Sequence, residues 1–292
     1  MPYATARDGT KLYVKDWGKG RPVVLIHGWP LSADSWDPIA VPLVEAGHRV
    51  ISYDRRGFGR SDQPWDGYDY DTFADDLGSV LEAAEVKDGM SLVGFSMGGG
   101  EVARYLSRNS GRGVDRVALI GSVVPYMQQT ENNPNGVPEL TFAEMEAQMR
   151  DDRGAFFQSF FRAFYGIGMI AQPVSNAMVE QSFQVAMQAS LRATLAAAKA
   201  FATTDFRPDL SAFTMPTLIV HGTSDQTVPI DATAREAAKA IPHAELIEYD
   251  GSAHGIFASD RERLTQDLLD FLGSGAAMPQ LGTTEARREQ AY

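Results

Sequence analysis

Gly94-Phe95-Ser96-Met97-Gly98 forms a G-x-S-x-G motif between a short apolar run and a segment of helical character. The apolar run is Ser91-Leu92-Val93, and residues 99–106 can continue as a helix. A strand, a sharp turn with one serine and a helix are the context in which this motif is a nucleophile elbow. The serine takes a strained backbone conformation, so its flanking positions must be small, as Gly94 and Gly98 are. The motif alone is weak evidence, because glycine and serine are common in surface turns.

Composition narrows the class of protein. The chain has 292 residues, of which 44% are apolar and 22% charged, as in ordinary soluble globular proteins. Its formal charge of −12 disfavours nucleic acid and anionic membranes as partners. The absence of cysteine excludes disulfides, a thiol nucleophile and thiolate metal sites. With no long apolar run and a polar beginning, we expect a soluble, cytoplasmic protein.

Strand-like runs alternate with helical patterns in much of the chain. The strand-like runs are residues 11–17, 23–26, 49–53, 91–93, 117–120, 216–220 and 246–249. This alternation predicts an α/β fold with a parallel sheet covered by helices on both faces. Asp71 is the predicted cap of a helix that ends near Ala84, and Ser259 with Glu262 is the predicted capping box of the last helix.

The pattern changes after Val124. Residues 128–138 are polar and rich in Asn and Pro, and only helical patterns follow until about Phe213. We therefore expect a helical cap over residues 124–213, inserted into an α/β core made of residues 1–123 and 214–272. Residues 273–292 are small and polar, which is typical of a mobile tail.

Two residues downstream of Ser96 complete a candidate catalytic triad. A serine hydroxyl needs a base within hydrogen-bond reach, and the base needs a buried acid that holds its tautomer. Asp225 and His254 each follow a strand-like run, in the order Ser, acid, His that belongs to this type of elbow. Taken singly, an Asp in a turn and a His in a loop are ordinary. Together they predict Ser96 as nucleophile, His254 as base and Asp225 as its orienting acid.

Two backbone N–H groups are candidates for the oxyanion hole. One belongs to Met97, directly after the nucleophile, and the other to Trp29, in the loop after the run 23–26. Pro30 has no N–H to donate. We interpret His27 as a structural brace of this loop. The remaining histidines, namely His48, His221 and His243, receive the same structural interpretation.

Other patterns give no cofactor or metal site. The stretch Asp54-Arg55-Arg56-Gly57-Phe58-Gly59 lacks the third glycine of a dinucleotide loop and the lysine of a P-loop. We interpret it as a tight connection with arginine ion pairs. The pairs Asp75-Asp76 and Asp151-Asp152 are interpreted as charge on helix surfaces rather than as metal ligands.

Four longer stretches resemble a known family. They are His27-Gly28-Trp29-Pro30, Tyr53-Asp54-Arg55-Arg56-Gly57-Phe58-Gly59-Arg60-Ser61, Gly94-Phe95-Ser96-Met97-Gly98-Gly99-Gly100-Glu101-Val102-Ala103-Arg104-Tyr105 and Thr203-Thr204-Asp205-Phe206-Arg207. Over residues 3–272 the chain resembles the α/β-hydrolases, and more narrowly the cofactor-free bacterial haloperoxidase, perhydrolase and aryl esterase group. The resemblance implies a mostly parallel, eight-stranded sheet flanked by helices, with an inserted helical cap.

The resemblance also implies an activity. Short-chain and aryl esters would be hydrolysed through an acyl-enzyme at Ser96, and hydrogen peroxide in place of water would give a peracid that oxidises halide without metal or haem. Relatives commonly assemble as trimers or hexamers. The candidate lining residues of the pocket are Trp29, Phe95, Phe161, Val228 and Phe257.

Three questions stay open at this point: which reaction the triad performs, whether it performs any, and what Pro30 does. A lactamase or amidase would use the same mechanism, and a binding protein could keep the fold without the chemistry. The resemblance further implies that Trp29 lies beside the oxyanion loop. A proline at position 30 could move the Trp29 carbonyl toward the acyl-enzyme, where it would accept a hydrogen bond from peroxide.

Overall fold

The computed structural model describes residues 2–273 and 275. Among these residues, eight strands form one sheet in the order β1-β2-β4-β3-β5-β6-β7-β8. Strands β1 and β2 are antiparallel to their neighbours, whereas β3 to β8 run parallel. The strands are β1 (Tyr3–Thr5), β2 (Lys11–Gly18), β3 (Pro22–Ile26), β4 (Arg49–Tyr53), β5 (Met90–Phe95), β6 (Val114–Ile120), β7 (Thr217–Gly222) and β8 (Ala244–Tyr249). The predicted mostly parallel, eight-stranded sheet is confirmed.

Helices pack against this sheet, with α1 against α9 and α2 against α3. The α-helices are α1 (Asp37–Glu45), α2 (Tyr70–Ala83), α3 (Met97–Asn109), α4 (Glu139–Phe164), α5 (Asn176–Gln188), α6 (Leu191–Thr203), α7 (Ala234–Ala240), α8 (Ile256–Ser259) and α9 (Arg261–Leu272). Two 3₁₀ helices, Ala33–Trp36 and Arg207–Ala212, lie in the connections. No helix in the described part of the chain is both long and apolar enough to cross a membrane.

The apolar runs of the sequence correspond to central strands that are buried on both faces. Every residue of β5 and β7 is buried, as expected for parallel strands covered on both faces. Parallel strands end at the same edge of the sheet, and this edge is where open α/β sheets place their sites. Ser96 follows β5, Asp225 follows β7, and His254 follows β8. The topology therefore brings the three predicted residues to one edge.

Both predicted helix caps are wrong. Asp69, not Asp71, caps α2: its backbone is extended and its carboxylate accepts a hydrogen bond from the Thr72 N–H at 2.9 Å. Asp71 lies in the first turn and pairs with Arg104 instead. Ser259 ends α8, and its hydroxyl donates to the Asp260 carboxylate at 2.7 Å, so it forms no capping box with Glu262.

Three helices, α4 to α6, lie between β6 and β7, and α4 packs against both α5 and α6. Helix α4 is interrupted at Asp152, which has non-helical backbone angles of φ −144° and ψ 92°. The Asp152 carboxylate accepts from the Ala155 N–H at 2.9 Å and so begins the second half of the helix. Division of the chain into core and cap stays a prediction. The predicted tail lies outside the described residues, apart from Gly273 and Gly275.

Candidate active site

The elbow at Ser96 has a strained backbone. Ser96 has φ 54° and ψ −119°, a conformation that L-residues rarely adopt, between the end of β5 and the first residue of α3. Its N–H donates to the Ile120 carbonyl at 2.8 Å. A Cβ atom on Gly94 would lie 2.6 Å from the Gly98 carbonyl oxygen, so a larger residue cannot fit there without displacing the first turn of α3. The turn therefore depends on the glycines that the sequence motif supplies.

Ser96, His254 and Asp225 form one hydrogen-bonded chain. The Ser96 hydroxyl lies 3.0 Å from Nε2 of His254, and Nδ1 of His254 lies 2.6 Å from Oδ2 of Asp225. The three residues are buried, with exposed fractions of 6%, 1% and 7% in the order Ser96, His254 and Asp225. A base that reaches the nucleophile and is itself oriented by a carboxylate is the arrangement needed to activate a serine.

The Asp225 carboxylate is fixed by its own loop. Its Oδ1 accepts hydrogen bonds from the N–H groups of Thr227 at 2.9 Å and Val228 at 2.8 Å. Burial alone would raise the pKa of Asp225, but His254 and His221 face the carboxylate and hold its pKa well below the usual range. The group is therefore ionised at neutral pH and can stabilise an imidazolium at His254.

His221 is a neighbour of this carboxylate that sequence reasoning did not assign to the site. Its Nε2 lies 2.8 Å from the Val228 carbonyl and 3.2 Å from Oδ2 of Asp225. The side chains of His221 and Asp225 are both fully buried. The only available signal in the sequence was the place of His221 near the end of the strand that leads to Asp225.

The two predicted oxyanion donors, the N–H groups of Trp29 and Met97, belong to different segments of the chain. Among the described residues, neither the Met97 N–H nor the Trp29 N–H donates to a backbone acceptor. A Cβ on Gly28 would lie 2.9 Å from the Ser96 Cβ, which shows how closely the loop before Trp29 approaches the nucleophile. The Trp29 indole donates to the Thr194 carbonyl at 3.1 Å and is thereby tied to α6.

Buried polar contacts brace the loop that carries Trp29. Arg55 donates from its N–H to His27 Nε2 at 2.9 Å and from Nη2 to the His27 carbonyl at 2.8 Å. His27 in turn donates from Nδ1 to the Gly28 carbonyl at 2.9 Å. Burial, reinforced by the Arg55 charge, holds the pKa of His27 well below its ordinary value, so the ring stays neutral. This agrees with the interpretation of His27 as a structural brace.

The connection after β4 contains the expected arginine ion pairs, and two of them are deeply buried. Arg55 pairs with Glu101 at 2.8 Å and Arg56 with Asp76 at 2.6 Å. The interpretation of Asp76 as helix-surface charge is therefore wrong, because its side chain is 2% exposed and neutralises Arg56. In the described chain, no group of three or more His, Asp or Glu side chains is arranged to hold a metal ion.

Substitution of Glu101 by alanine is expected to destabilise the protein strongly. Both side chains of the Arg55–Glu101 pair are fully buried, so Glu101→Ala leaves a guanidinium without its partner. We expect the free energy of unfolding to fall by about 3–5 kcal/mol in urea denaturation. The control is Glu146→Ala, which breaks an exposed pair with Arg150 and is expected to cost ~0.5 kcal/mol or less. Equal losses in the two variants would contradict this account.

Aromatic rings pack against His254, and the predicted lining residues lie at different positions around it. The Phe95 ring lies 5.0 Å from the His254 ring and 5.0 Å from the Phe257 ring, measured between centroids. The Phe161 ring packs against the Phe160 ring, with the two centroids 5.4 Å apart. Val228 lies in the loop that holds Asp225.

Three further rings close to the site are not among the predicted lining residues. Phe164 lies 4.9 Å from the His254 ring, and Phe160 and Phe201 lie 5.3 Å and 5.6 Å from Trp29. The carbonyl of Phe164 also accepts from the Gly255 N–H at 2.8 Å, which ties the end of α4 to the loop that carries His254. The run of phenylalanines in α4 was the available signal, but only tertiary structure selects which of them face the site.

Comparisons with known proteins agree with this geometry. The family model for the alpha/beta hydrolase fold matches residues 21–260. The chain is 43% identical to a non-heme chloroperoxidase of Kitasatospora aureofaciens, over 93% of this chain and 99% of the relative. It is 38% identical to a bifunctional esterase/perhydrolase of Acinetobacter calcoaceticus, over 94% and 100%. A bromoperoxidase structure from Bacillus anthracis superposes with a TM-score of 0.88 and 43% identity, over 92% of this chain and 99% of the other.

The sequence, the sheet order and the nucleophile turn thus lead to the same assignment, and the predicted family is confirmed. The match covers the elbow, the strand ends that carry the acid and the base, and the helices between them. The chain belongs to the alpha/beta hydrolase family and, within it, to the group of non-heme haloperoxidases and perhydrolases.

Proposed function

We propose that this protein is a serine hydrolase of short-chain or aryl carboxylic esters, and that it forms peracids when hydrogen peroxide accepts the acyl group. The observation that carries the proposal is the unbroken hydrogen-bonded chain from Ser96 Oγ through His254 to Asp225. The names of the relatives, chloroperoxidase and bifunctional esterase/perhydrolase, support the same activity.

The first half-reaction forms an acyl-enzyme. Ser96 Oγ attacks the ester carbonyl while its proton passes to His254 Nε2, and Asp225 stabilises the resulting imidazolium. The oxyanion of the tetrahedral intermediate accepts hydrogen bonds from the N–H groups of Trp29 and Met97. When the intermediate collapses, His254 returns the proton to the leaving alkoxide or phenoxide, and the acyl group stays on Ser96.

The second half-reaction depends on the acceptor. Water attacks the acyl carbon, gives a proton to His254 Nε2 and releases the carboxylic acid, after which the proton returns to Ser96 Oγ. Hydrogen peroxide follows the same route and releases a peracid. The enzyme thus needs no redox change of its own, because the oxidising equivalent comes from peroxide and leaves in the peracid.

The surroundings of Ser96 favour a small, uncharged acyl group. The nucleophile is 6% exposed, and aromatic rings pack against its base, His254. Aromatic surroundings of this kind accommodate apolar acyl or aryl groups and desolvate charged ones. The residues proposed to line the pocket are Trp29, Phe95, Phe161, Val228 and Phe257.

One assay separates the proposed activity from its alternatives. Wild-type protein should release p-nitrophenol from p-nitrophenyl acetate and form peracetic acid at fixed peroxide, with far slower turnover of p-nitroacetanilide. Faster anilide turnover would instead indicate an amidase. A fluorophosphonate probe should label one serine per chain, whereas a binding protein without the chemistry would stay unlabelled.

Pro30→Leu is expected to lower the ratio of perhydrolysis to hydrolysis. The hypothesis is that Pro30 places the Trp29 carbonyl where it accepts a hydrogen bond from attacking peroxide. Loss of one such bond corresponds to about a five- to tenfold change in the partition ratio, measured as peracid over acid at fixed peroxide. Pro38→Leu, in the first turn of α1, is the control. An unchanged ratio in Pro30→Leu would discard the hypothesis.

Assembly and location are also proposals. We propose a homo-oligomer, either a trimer or a hexamer, which sedimentation analysis would distinguish from a monomer. A cytoplasmic location and the absence of nucleic-acid or membrane partners stay predictions from composition.

A further inference from the structure

We propose that His221 is a positioning residue of the triad, whose neutral imidazole donates a second ring N–H to Oδ2 of Asp225 and holds the carboxylate in line with His254. The inference deepens the proposed function, since it concerns how the acid of that same triad is held. The contacts of His221 with Val228 and Asp225 carry it.

The hydrogen-bond partners of His221 determine its tautomer. Its Nε2 faces two oxygens that can only accept, the Val228 carbonyl at 2.8 Å and the ionised Asp225 carboxylate at 3.2 Å. Nε2 must therefore carry a proton: it is donated to the Val228 carbonyl, and in the proposal Oδ2 of Asp225 shares it. Nδ1 is buried and has no partner among the described residues, so a second proton there would be left without an acceptor. The ring is consequently a neutral donor.

With this donor the coordination of the Asp225 carboxylate is complete. Oδ1 accepts from the backbone N–H groups of Thr227 and Val228, and Oδ2 faces the ring N–H groups of His254 and His221. The Val228 N–H donates to the carboxylate, and the Val228 carbonyl accepts from His221. Asp225, Val228 and His221 therefore each contact the other two. Rotation of the carboxylate away from His254 would break several hydrogen bonds at once.

Other charges near His221 are already neutralised. Glu248 is its partner in the register of β7 and β8, and the Glu248 carboxylate is held by Arg235 of α7 at 2.6 Å. In the part of the chain that the structure describes, Asp225 contacts His221 directly, and His254 is linked to it through Asp225. A change in the pH profile after substitution of His221 would therefore report on the triad rather than on a distant charge.

The proposal predicts a specific kinetic effect. In His221→Phe the ring volume remains but the donor is lost, so Oδ2 of Asp225 keeps more charge for the His254 imidazolium. The acid limb of the kcat/KM profile should then move to higher pH, by ~0.5–1 unit. The carboxylate is also less well held, so kcat at the pH plateau should fall about tenfold with KM changed less than about twofold.

Two variants control for a purely structural role. His221→Gln places an amide N–H near the position of Nε2 and should restore the acid limb and most of kcat. His48→Phe is the matched control, because His48 is also buried, has Nε2 3.1 Å from a backbone carbonyl and has no partner for Nδ1 among the described residues. Its profile should match the wild type. The proposal is overturned if His221→Phe keeps the wild-type acid limb and kcat, or if His221→Gln is as impaired as His221→Phe.

A spectroscopic measurement on the wild-type protein covers the case in which His221→Phe does not fold. In ¹⁵N-histidine NMR at neutral pH, His221 should show a proton on Nε2 and none on Nδ1. A proton on Nδ1 at neutral pH would overturn the proposal. This result does not depend on turnover, so failure of the positioning role is distinguishable from failure of the proposed function, which would show as full activity in Ser96→Ala.

Discussion

Ser96→Ala is expected to lower kcat/KM for p-nitrophenyl acetate by roughly 10⁵-fold or more, to the level supported by binding and the oxyanion donors alone. In the proposed mechanism the acyl bond forms on Oγ of Ser96, which lies 3.0 Å from Nε2 of its base, His254. Peracid formation should fall by the same factor, because both reactions pass through the same acyl-enzyme.

The control for this variant is Ser91→Ala, a buried serine in the strand that leads to the elbow. It should keep nearly all activity. Circular dichroism and thermal unfolding of Ser96→Ala should match the wild type. The substitution removes only the side-chain oxygen, and the backbone of the turn is held by its neighbours. Peracid formation that survives in Ser96→Ala would contradict the shared acyl-enzyme.

Asp225→Asn is expected to lower kcat by ~10⁴-fold while the fold is kept. Oδ1 of Asp225 accepts from two backbone N–H groups, so the amide oxygen of an Asn must remain there. The amide nitrogen then faces His254 Nδ1 in place of Oδ2, and Nδ1 has to accept rather than donate. His254 would carry its proton on Nε2, where it cannot take the proton of Ser96.

A matched substitution tests this argument about the tautomer. Asp250→Asn changes an exposed acid at the end of β8 that accepts from Thr223. It should leave kcat within about twofold of the wild type, because Asp250 has no contact with the triad. If Asp225→Asn retained most of its kcat at neutral pH, Asp225 would not be the acid that orients His254.

Much of the fold could be predicted from local sequence. The apolar runs 23–26, 49–53 and 117–120 lie within β3, β4 and β6, because buried parallel strands need apolar residues on both faces. The elbow and the two strand-end residues were predictable for a related reason. A parallel sheet brings the ends of its strands together, so residues far apart in sequence become neighbours without any detailed model of packing.

The features that were missed depend on tertiary contacts. Asp76 was interpreted as surface charge because its helix pattern is polar there, and only the docking of Arg56 buries it. Asp71 and Asp69 are both good capping residues, and backbone geometry selects Asp69. Phe201 has no local sequence signal that points to the site, and the position of His221 near the end of β7 is a weak signal, since the partners of both residues lie on other elements.

Mass spectrometry of the trapped acyl-enzyme tests the central claim most directly. Wild-type protein is mixed with p-nitrophenyl acetate, quenched in acid within milliseconds and digested. The account predicts one acetyl group per chain, located on Ser96, with no adduct in Ser96→Ala and faster loss of the adduct when peroxide is present. An acetyl group on another residue, or turnover without any adduct at Ser96, would contradict it.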